Sequence, residues 1–264
     1  MPNKLLGQNF LKNAAVLQKI IAAVDVEKGD AIFEIGPGHG ELTLPLAKAC
    51  GAVGARLVAI EKDAALADAA RNAMRAAGIE NAEIVTGDAL QFFNSDAWRP
   101  PADFKIAGNI PYYLTGHLLR VISELPEYPA RCVFLVQKEV AERMAADAGD
   151  MNRLAASVQF WAEPRIITRV SRRDFHPQPK VDSAVVVLDR KKAPAFRDAD
   201  GYFRAVRALF AQPRKTLVNN LAAALEKSTK DDLAKRLADL GIDPRGRPQD
   251  LSIAHIADIA DAIF

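Results

Sequence analysis

Cysteine is scarce in this chain. Of 264 residues only Cys50 and Cys132 are cysteines, and they show no metal-like spacing. Both read as small apolar residues headed for burial, Cys50 closing an expected helix and Cys132 opening an expected strand. So small a number fits a reducing cytosol. Histidine is sparse as well. His39 and His117 have no ligand partners at metal spacing, so they read as structural or surface residues and no metal is expected. No stretch reaches the ~18 apolar residues of a membrane span, and the first residues lack the apolar core of a secretory leader. A cytoplasmic protein with no membrane partner is the expectation. Internal repeats and low-complexity segments are missing too, and no exposed apolar stripe asks for a second copy, so a monomer is expected.

Net charge is nearly missing, at +2, and says little by itself. Its distribution says more. Residues 1–189 carry 21 basic and 23 acidic side chains, whereas residues 190–264 carry 14 and 10. Residues 165–215 hold 13 basic against 5 acidic, a net of +8. A basic belt joining a near-neutral body to a basic tail suits a polyanion such as RNA, although a solvated, charge-mixed surface would look the same. The length allows one large domain plus a small one. A hydrophobic share of 50% with 26% charged residues is that of an ordinary soluble globular protein.

What is present concentrates at Ala31 to Glu41, A-I-F-E-I-G-P-G-H-G-E. A buried strand breaks into three alternate glycines, Gly36, Gly38 and Gly40, and a helix-like stretch begins at Glu41. Glycine tolerates positive φ and lets a ligand lie against bare backbone. The N–H groups opening the next helix point at that ligand. In a dinucleotide fingerprint, G-x-G-x-x-G, the third small residue sits one turn into the helix. Here Glu41 holds that place, and its carboxylate would repel a pyrophosphate. The loop therefore reads as a site for a nucleoside cofactor without phosphates, S-adenosylmethionine (AdoMet) first among the candidates. E-x-G-x-G-x-G before a helix is the usual look of motif I in AdoMet-dependent methyltransferases.

Hydrophobic periodicity predicts strands at 31–35, 56–61, 82–86, 104–108 and 131–137, alternating with helices at 41–50, 63–77, 114–125 and 138–144. A helix over 14–24, capped by Asn13, precedes them, and another ends near 158–161. Strands at 165–170 and 181–188 follow, joined by a basic, proline-rich loop, F-H-P-Q-P-K-V-D-S, Phe175 to Ser183. Beyond Lys191-Lys192-Ala193-Pro194 the character changes to helices at 202–210, 215–225, 231–240 and 253–263, the last capped by Ser252 or Asp250. The alternation predicts an α/β fold, a parallel sheet covered on both faces followed by a small all-α C-terminal domain; with motif I it resembles the Rossmann-like AdoMet-dependent methyltransferase fold, which implies a mixed, mostly parallel sheet. The boundary falls between a catalytic domain at 1–190 and a helical domain at 191–264 that would bind the substrate. Such sheets bind ligands beyond the carboxyl ends of their strands, where Gly36, Glu61, Asp88 and Asn109 all stand.

Each of these positions suits a task. Glu61 ends the second strand and can accept hydrogen bonds from both ribose hydroxyls. Asp88 can accept from the adenine amine of the cofactor, or simply form a turn. Asn109-Ile110-Pro111-Tyr112 matches the (Asp/Asn/Ser)-(Pro/Ile/Leu)-Pro-(Tyr/Phe) pattern found where methyltransferases act on an exocyclic amine. The N6 lone pair of adenine is delocalised into the ring and is a poor nucleophile. Two acceptors, the Asn109 side-chain oxygen and a main-chain carbonyl at Ile110, can bind its N–H groups and favour a more tetrahedral nitrogen. Pro111 stiffens the turn, and Tyr112 offers a face for stacking. Positioning and polarisation supply most of the help, and no strong base is required. Phe175, beside His176 in the proline-rich loop, is either a clamp on the other face of a flipped base or a core aromatic. Lys180 and the Arg172-Arg173 pair suit phosphate contacts.

Taken together, these pieces resemble the small-subunit (16S) rRNA adenine N6,N6-dimethyltransferases of the KsgA/RsmA family over nearly the whole chain. G-Q-N-F-L at 7–11, E-I-G-P-G-H-G at 34–40, Glu61, G-D-A-L at 87–90 and N-I-P-Y at 109–112 follow in that family's order. So do Q-K-E-V-A-E-R at 137–143, F-H-P-Q-P-K-V-D-S-A-V at 175–185, R-K-T-L at 214–217 and L-G-I-D-P at 240–244. The resemblance implies an AdoMet site from Asn9, Leu11, Gly36, Glu61, Asp88 and Asn109, with Gly38, Lys62 and Ala89 beside them in the same motifs. It implies dimethylation of two adjacent adenosines in the 3′-terminal hairpin loop of small-subunit rRNA, on a pre-assembled particle, with a role in subunit biogenesis. Two stretches depart from the pattern. Only Lys4 precedes Gly7 in the basic lead-in, and D-A-G-D-M-N-R-L-A at 147–155 diverges in a region the resemblance puts beside the substrate.

Three other readings compete. A sister enzyme of the macrolide-resistance type methylates large-subunit rRNA with the same core motifs, and the tail here argues against it. A ribosome assembly factor would use the same surface for binding more than for chemistry. A nicotinamide-dependent oxidoreductase is opposed by Glu41.

Overall fold

The computed structural model describes residues 9–95, 98–192 and 198–264. Lys4, the Gly7-Gln8 start of the N-terminal motif and the Ala193-Pro194 turn lie outside the described residues. Among the described residues, no helix is long and apolar enough to cross a membrane.

The chain forms two compact units. The first comprises residues 1–141 and 164–190, and the second residues 142–163 and 191–264. This differs from a single boundary at 190. The segment 142–163 belongs with the C-terminal helices because its own apolar side chains are buried among them, as described below.

The first unit is built on a seven-stranded sheet. Its strands are β2 (Ala31–Ile35), β3 (Arg56–Glu61), β4 (Ala82–Thr86), β5 (Lys105–Asn109), β6 (Arg131–Gln137), β7 (Ala162–Val170) and β9 (Ser183–Arg190). The order is β4-β3-β2-β5-β6-β9-β7. The first five run parallel, and β9 returns antiparallel to β6. Parallel strands need helical crossovers and cover on both faces, which is why these segments read as near-continuous apolar runs. The crossovers are α2 (Thr43–Val53), α3 (Ala64–Ala76), the short α4 (Ala89–Phe93) and α5 (Thr115–Ser123), and α6 (Lys138–Met144) follows β6. The sheet order reverses at β2, which has β3 on one side and β5 on the other. That reversal opens a crevice beyond their carboxyl ends. Beneath it Phe33, Phe93, Trp98 and Phe104 meet mostly edge to face, with ring centroids 4.9 to 6.2 Å apart.

Local chemistry sets the element ends. The Asn13 side chain accepts from the N–H groups of Ala15 and Val16 and starts α1 (Ala14–Val24). Asp63 does the same for α3. Helix α2 starts at Thr43, later than the sequence pattern suggests. Gly36, Gly38 and Gly40 all hold positive φ (70, 58 and 93°), so the loop cannot turn helical until it is past them. Helix α2 also continues beyond Cys50, which is buried within it, and ends where Gly54 takes a left-handed conformation.

Two short strands escape the sequence pattern. β1 (Phe10–Leu11) pairs antiparallel with β8 (Phe175–His176), setting Leu11 opposite Phe175. This ties the start of the chain to the proline-rich loop, helped by Lys12 N–H donating to the Asp174 carbonyl at 2.7 Å.

In the second unit, α7 (Arg153–Gln159), α8 (Ala199–Leu209), α9 (Leu217–Ala224), α10 (Lys230–Asp239) and α11 (Ile253–Ile263) pack together. The buried Tyr202 donates its hydroxyl to the Ala156 carbonyl at 3.0 Å and lies against Phe160, with centroids 4.6 Å apart. Gly149 and Met151 donate backbone N–H to the Gln249 carbonyl, which secures the divergent 147–155 stretch within this unit. Ser252, rather than Asp250, caps α11 by accepting from His255 N–H.

Candidate cofactor and active site

One cavity of about 370 Å³ opens over the crevice at the ends of β2, β3, β4 and β5. Its size is that of a small-molecule site. The glycine loop forms one wall. A Cβ at Gly38 would lie 2.8 Å from the Phe10 ring, so only glycine lets that ring pack on the loop. Phe10 also meets His39 edge to face at 4.5 Å.

Glu61 sits at the end of β3, nearly buried. Its Oε2 accepts from Gly38 N–H at 3.0 Å and its Oε1 from Asp63 N–H at 2.9 Å. Each oxygen keeps a lone pair for a further donor. A pair of neighbouring hydroxyls fits such a carboxylate. Asp88 begins α4 and accepts from Leu90 N–H at 2.9 Å and from Lys62 Nζ at 2.8 Å. Burial alone would raise the Asp88 carboxyl, but these bonds outweigh it and hold the group below its ordinary value. Ile60, Leu66 and Leu90 supply apolar wall on the same side.

Among the described residues lining the cavity, the carboxylates are Glu61 and Asp88 and the one Lys or Arg is Lys62, which is bonded to Asp88. Glu41 lies off this cavity and pairs with Lys12 at 3.1 Å. The cavity is thus poor in positive charge. It suits a neutral or cationic nucleoside and opposes a pyrophosphate.

On the opposite wall, Asn109 ends β5. Its Nδ2 donates to the Asn9 carbonyl at 2.8 Å, which fixes the amide and leaves Oδ1 as an acceptor. Ile110 is buried, and its N–H is anchored to the Leu135 carbonyl at 3.0 Å. The Tyr112 hydroxyl lies 2.9 Å from Ser183 Oγ at the start of β9. Burial raises the Tyr112 phenol above its ordinary value, Ser183 opposes this, and the Asp182 charge adds to it, so the phenol is neutral in its site.

A family model described as Ribosomal RNA adenine dimethylase matches residues 2–263. The chain belongs to the ribosomal RNA adenine dimethylase family. It is 41% identical to the Ribosomal RNA small subunit methyltransferase A of Pelotomaculum thermopropionicum, covering 100% of this chain and 92% of that one. The protein of the same name from Moorella thermoacetica is 38% identical over 98% and 92%. Among solved structures, a dimethyladenosine transferase from Plasmodium falciparum superposes with a TM-score of 0.78 at 26% identity, covering 95% of each chain. The 23S rRNA methyltransferase ErmE gives 0.74 at 24% identity over 96% of this chain and 99% of that one, a likeness that speaks for the fold alone.

In this rRNA adenine dimethylase the cavity gathers Asn9, Gly36, Gly38, Glu61, Lys62, Asp88, Ala89, Asn109, Ile110, Pro111 and Tyr112. Leu11 and Phe175 do not line it. Both are buried in the core beside Val16 and Val170, because the β1–β8 pairing turns them inward. The geometry therefore gives Phe175 to the core, and the base clamp it offered in the sequence has no place in this cavity. Leu66, Leu90, Tyr113 and His117 also line the cavity, and sequence reasoning missed the first three as site residues and read His117 as a structural or surface residue. Leu66 and Leu90 carry a usable signal, each being an apolar residue in the first turn of a helix that follows an acid at a strand end. Tyr113 had none beyond its place after N-I-P-Y.

Proposed function

We propose that this chain transfers methyl groups from AdoMet to the N6 amines of two adjacent adenosines in the 3′-terminal hairpin loop of 16S rRNA. Its substrate is the small ribosomal subunit, and it acts in that subunit's biogenesis. The observation that carries this reading is Asn109, which lines the cavity with its amide nitrogen engaged by the Asn9 carbonyl, leaving Oδ1 as the acceptor. Family membership fixes adenine of rRNA as the target class, and the relatives named for the small subunit support the choice of particle.

The residues present fit AdoMet. The Glu61 carboxylate would hold the ribose hydroxyls, and Ile60, Leu66 and Leu90 would cover the purine with Asp88 at its amine edge. The bare glycine backbone would admit the amino-acid end, and the low positive charge of the cavity would tolerate a sulfonium. Bound there, AdoMet supplies an electrophilic methyl group. The protein's part is to place the amine. Asn109 Oδ1 and the Ile110 carbonyl accept the two N–H groups of the target. This draws the nitrogen toward a tetrahedral shape and aims its lone pair into the cavity. Pro111 keeps the turn fixed, and the Tyr112 ring, tethered through Ser183, backs the base. After alkylation the nitrogen is acidic enough to release its proton to water. The helical unit, with its basic excess, would bind rRNA, and the protein would work as a monomer.

The test is transfer of labelled methyl from AdoMet to small subunits lacking the modification, with large subunits, naked rRNA and DNA as controls. Dimethyladenosine on small subunits alone is the expected result. Label on large-subunit rRNA would move the chain to the macrolide-resistance branch. AdoMet binding without transfer would leave an assembly factor.

A further inference from the structure

Tyr112 and Tyr113 are neighbours on the turn after β5, yet they stand in different surroundings. Tyr112 is half-buried and tied by its hydroxyl to Ser183 Oγ. Tyr113 has no such anchor among the described residues and is 58% exposed, more than any other large apolar or aromatic side chain among them. It still lines the cavity. The residue therefore forms part of the rim, with most of its surface open to solvent. Lys62, paired with Asp88 at 2.8 Å, lines the same cavity. The mouth thus combines an exposed aromatic face with a cation, the pairing that recurs where proteins grip single-stranded nucleic acid.

We propose that Tyr113 is a substrate-binding residue whose ring stacks on the nucleobase next to the one being methylated, keeping the adjacent pair of adenosines in register at the mouth. This rests on the reading of the chain as an adenosine dimethyltransferase. The target base lies against Tyr112, whose ring is held in one place. Tyr113 is one residue further along the turn and faces outward, so it meets the following nucleotide rather than the same base. Stacking asks only for a π-face, which makes the ring the working part and the hydroxyl dispensable.

The experiment compares wild type, Tyr113→Ala and Tyr113→Phe on small subunits lacking the modification. It reads KM for the particle, kcat, AdoMet affinity by calorimetry, and the share of particles modified at one adenosine or at both. Loss of one base–aromatic stack predicts a rise of about 5- to 100-fold in particle KM for Tyr113→Ala. Particles modified at one adenosine should accumulate, with AdoMet affinity within about twofold of wild type. Tyr113→Phe should stay within about threefold throughout. If both variants lose AdoMet affinity, Tyr113 is a lid on the cofactor and the proposal is overturned. An unchanged KM and product pattern in Tyr113→Ala overturns it as well. Both outcomes differ from a wild type inactive on small subunits, which would remove the underlying reading instead.

Discussion

Asn109 is where fold and chemistry meet in one side chain. Its Nδ2 is engaged by the Asn9 carbonyl, so its orientation is set before any substrate arrives. On the proposed function, Asn109→Ala deletes the acceptor that would meet the amine. Loss of one such oriented group costs kcat about 100- to 1,000-fold. Single-turnover transfer to small subunits measures this, and a variant retaining half the wild-type rate would mean that the amine is held elsewhere. Glu34 carries a different burden. It is buried beneath the glycine loop, and burial pushes its carboxyl up to about 8, with the Glu61 and Glu41 charges adding to it. The neighbouring Thr43 hydroxyl opposes the shift only in part. The unfolded chain releases this proton near pH 4.5, whereas the folded chain keeps it to about 8. Stability is therefore present in full below 4.5 and declines as pH rises to about 8. Glu34→Gln cannot ionise. Its stability relative to wild type should improve by a few kcal/mol between pH 5 and 8.5 in urea unfolding, on the order set by the shift. An equal gap at the two pH values would show an ordinary carboxylate.

At the scale of elements, the strands that hold the site were legible because the central parallel strands are covered on both faces and run largely apolar, while the edge strand β4 keeps a short apolar centre. β2, β3, β4 and β6 fall where their residues alone place them. β1 and β8 were not legible. Each is two residues long, and two residues have no period to read. That gap also misled the reading of Phe175, an aromatic between charged residues and prolines that looks equally like a clamp and a core residue until its partner strand is known. Opposite Leu11 it is 5% exposed. Phe175→Ala should lower unfolding free energy by about 3–5 kcal/mol, the cost of emptying a buried aromatic site. It should also weaken transfer, because the same strand pair seats Asn9, whose carbonyl holds Asn109. Phe175→Leu should recover most of the stability and the transfer together. A Phe175→Ala protein that melts like wild type but no longer transfers would return Phe175 to the role of a base clamp.

At the scale of the whole molecule, the change to helical periodicity after residue 191 marks where the second unit resumes, but gives no sign that it had already begun at residue 142. A unit made of two separated segments is invisible to a linear scan, since nothing in 142–163 differs in composition from the strands and helices around it. Packing decides the matter. Phe160 and Trp161 are fully or almost fully buried, and Phe160 lies against both Tyr202 and Phe203 at 4.6 and 5.1 Å between centroids. A chain cut after Arg190 keeps the strands of the first unit but strips Tyr202, Phe203 and α11 from around α7. Phe160 then loses both ring contacts and faces water, forgoing roughly 1.5–3 kcal/mol of burial, together with the Tyr202 bond to the Ala156 carbonyl. The truncated chain should bind hydrophobic dye and self-associate in sedimentation velocity. The same truncation carrying Phe160→Ser should lose much of that tendency, because the exposed ring is a source of it. A 1–190 chain that sediments as a monomer and ignores the dye would show instead that 142–163 stands without the C-terminal helices, and that the catalytic body ends where the sequence first suggests.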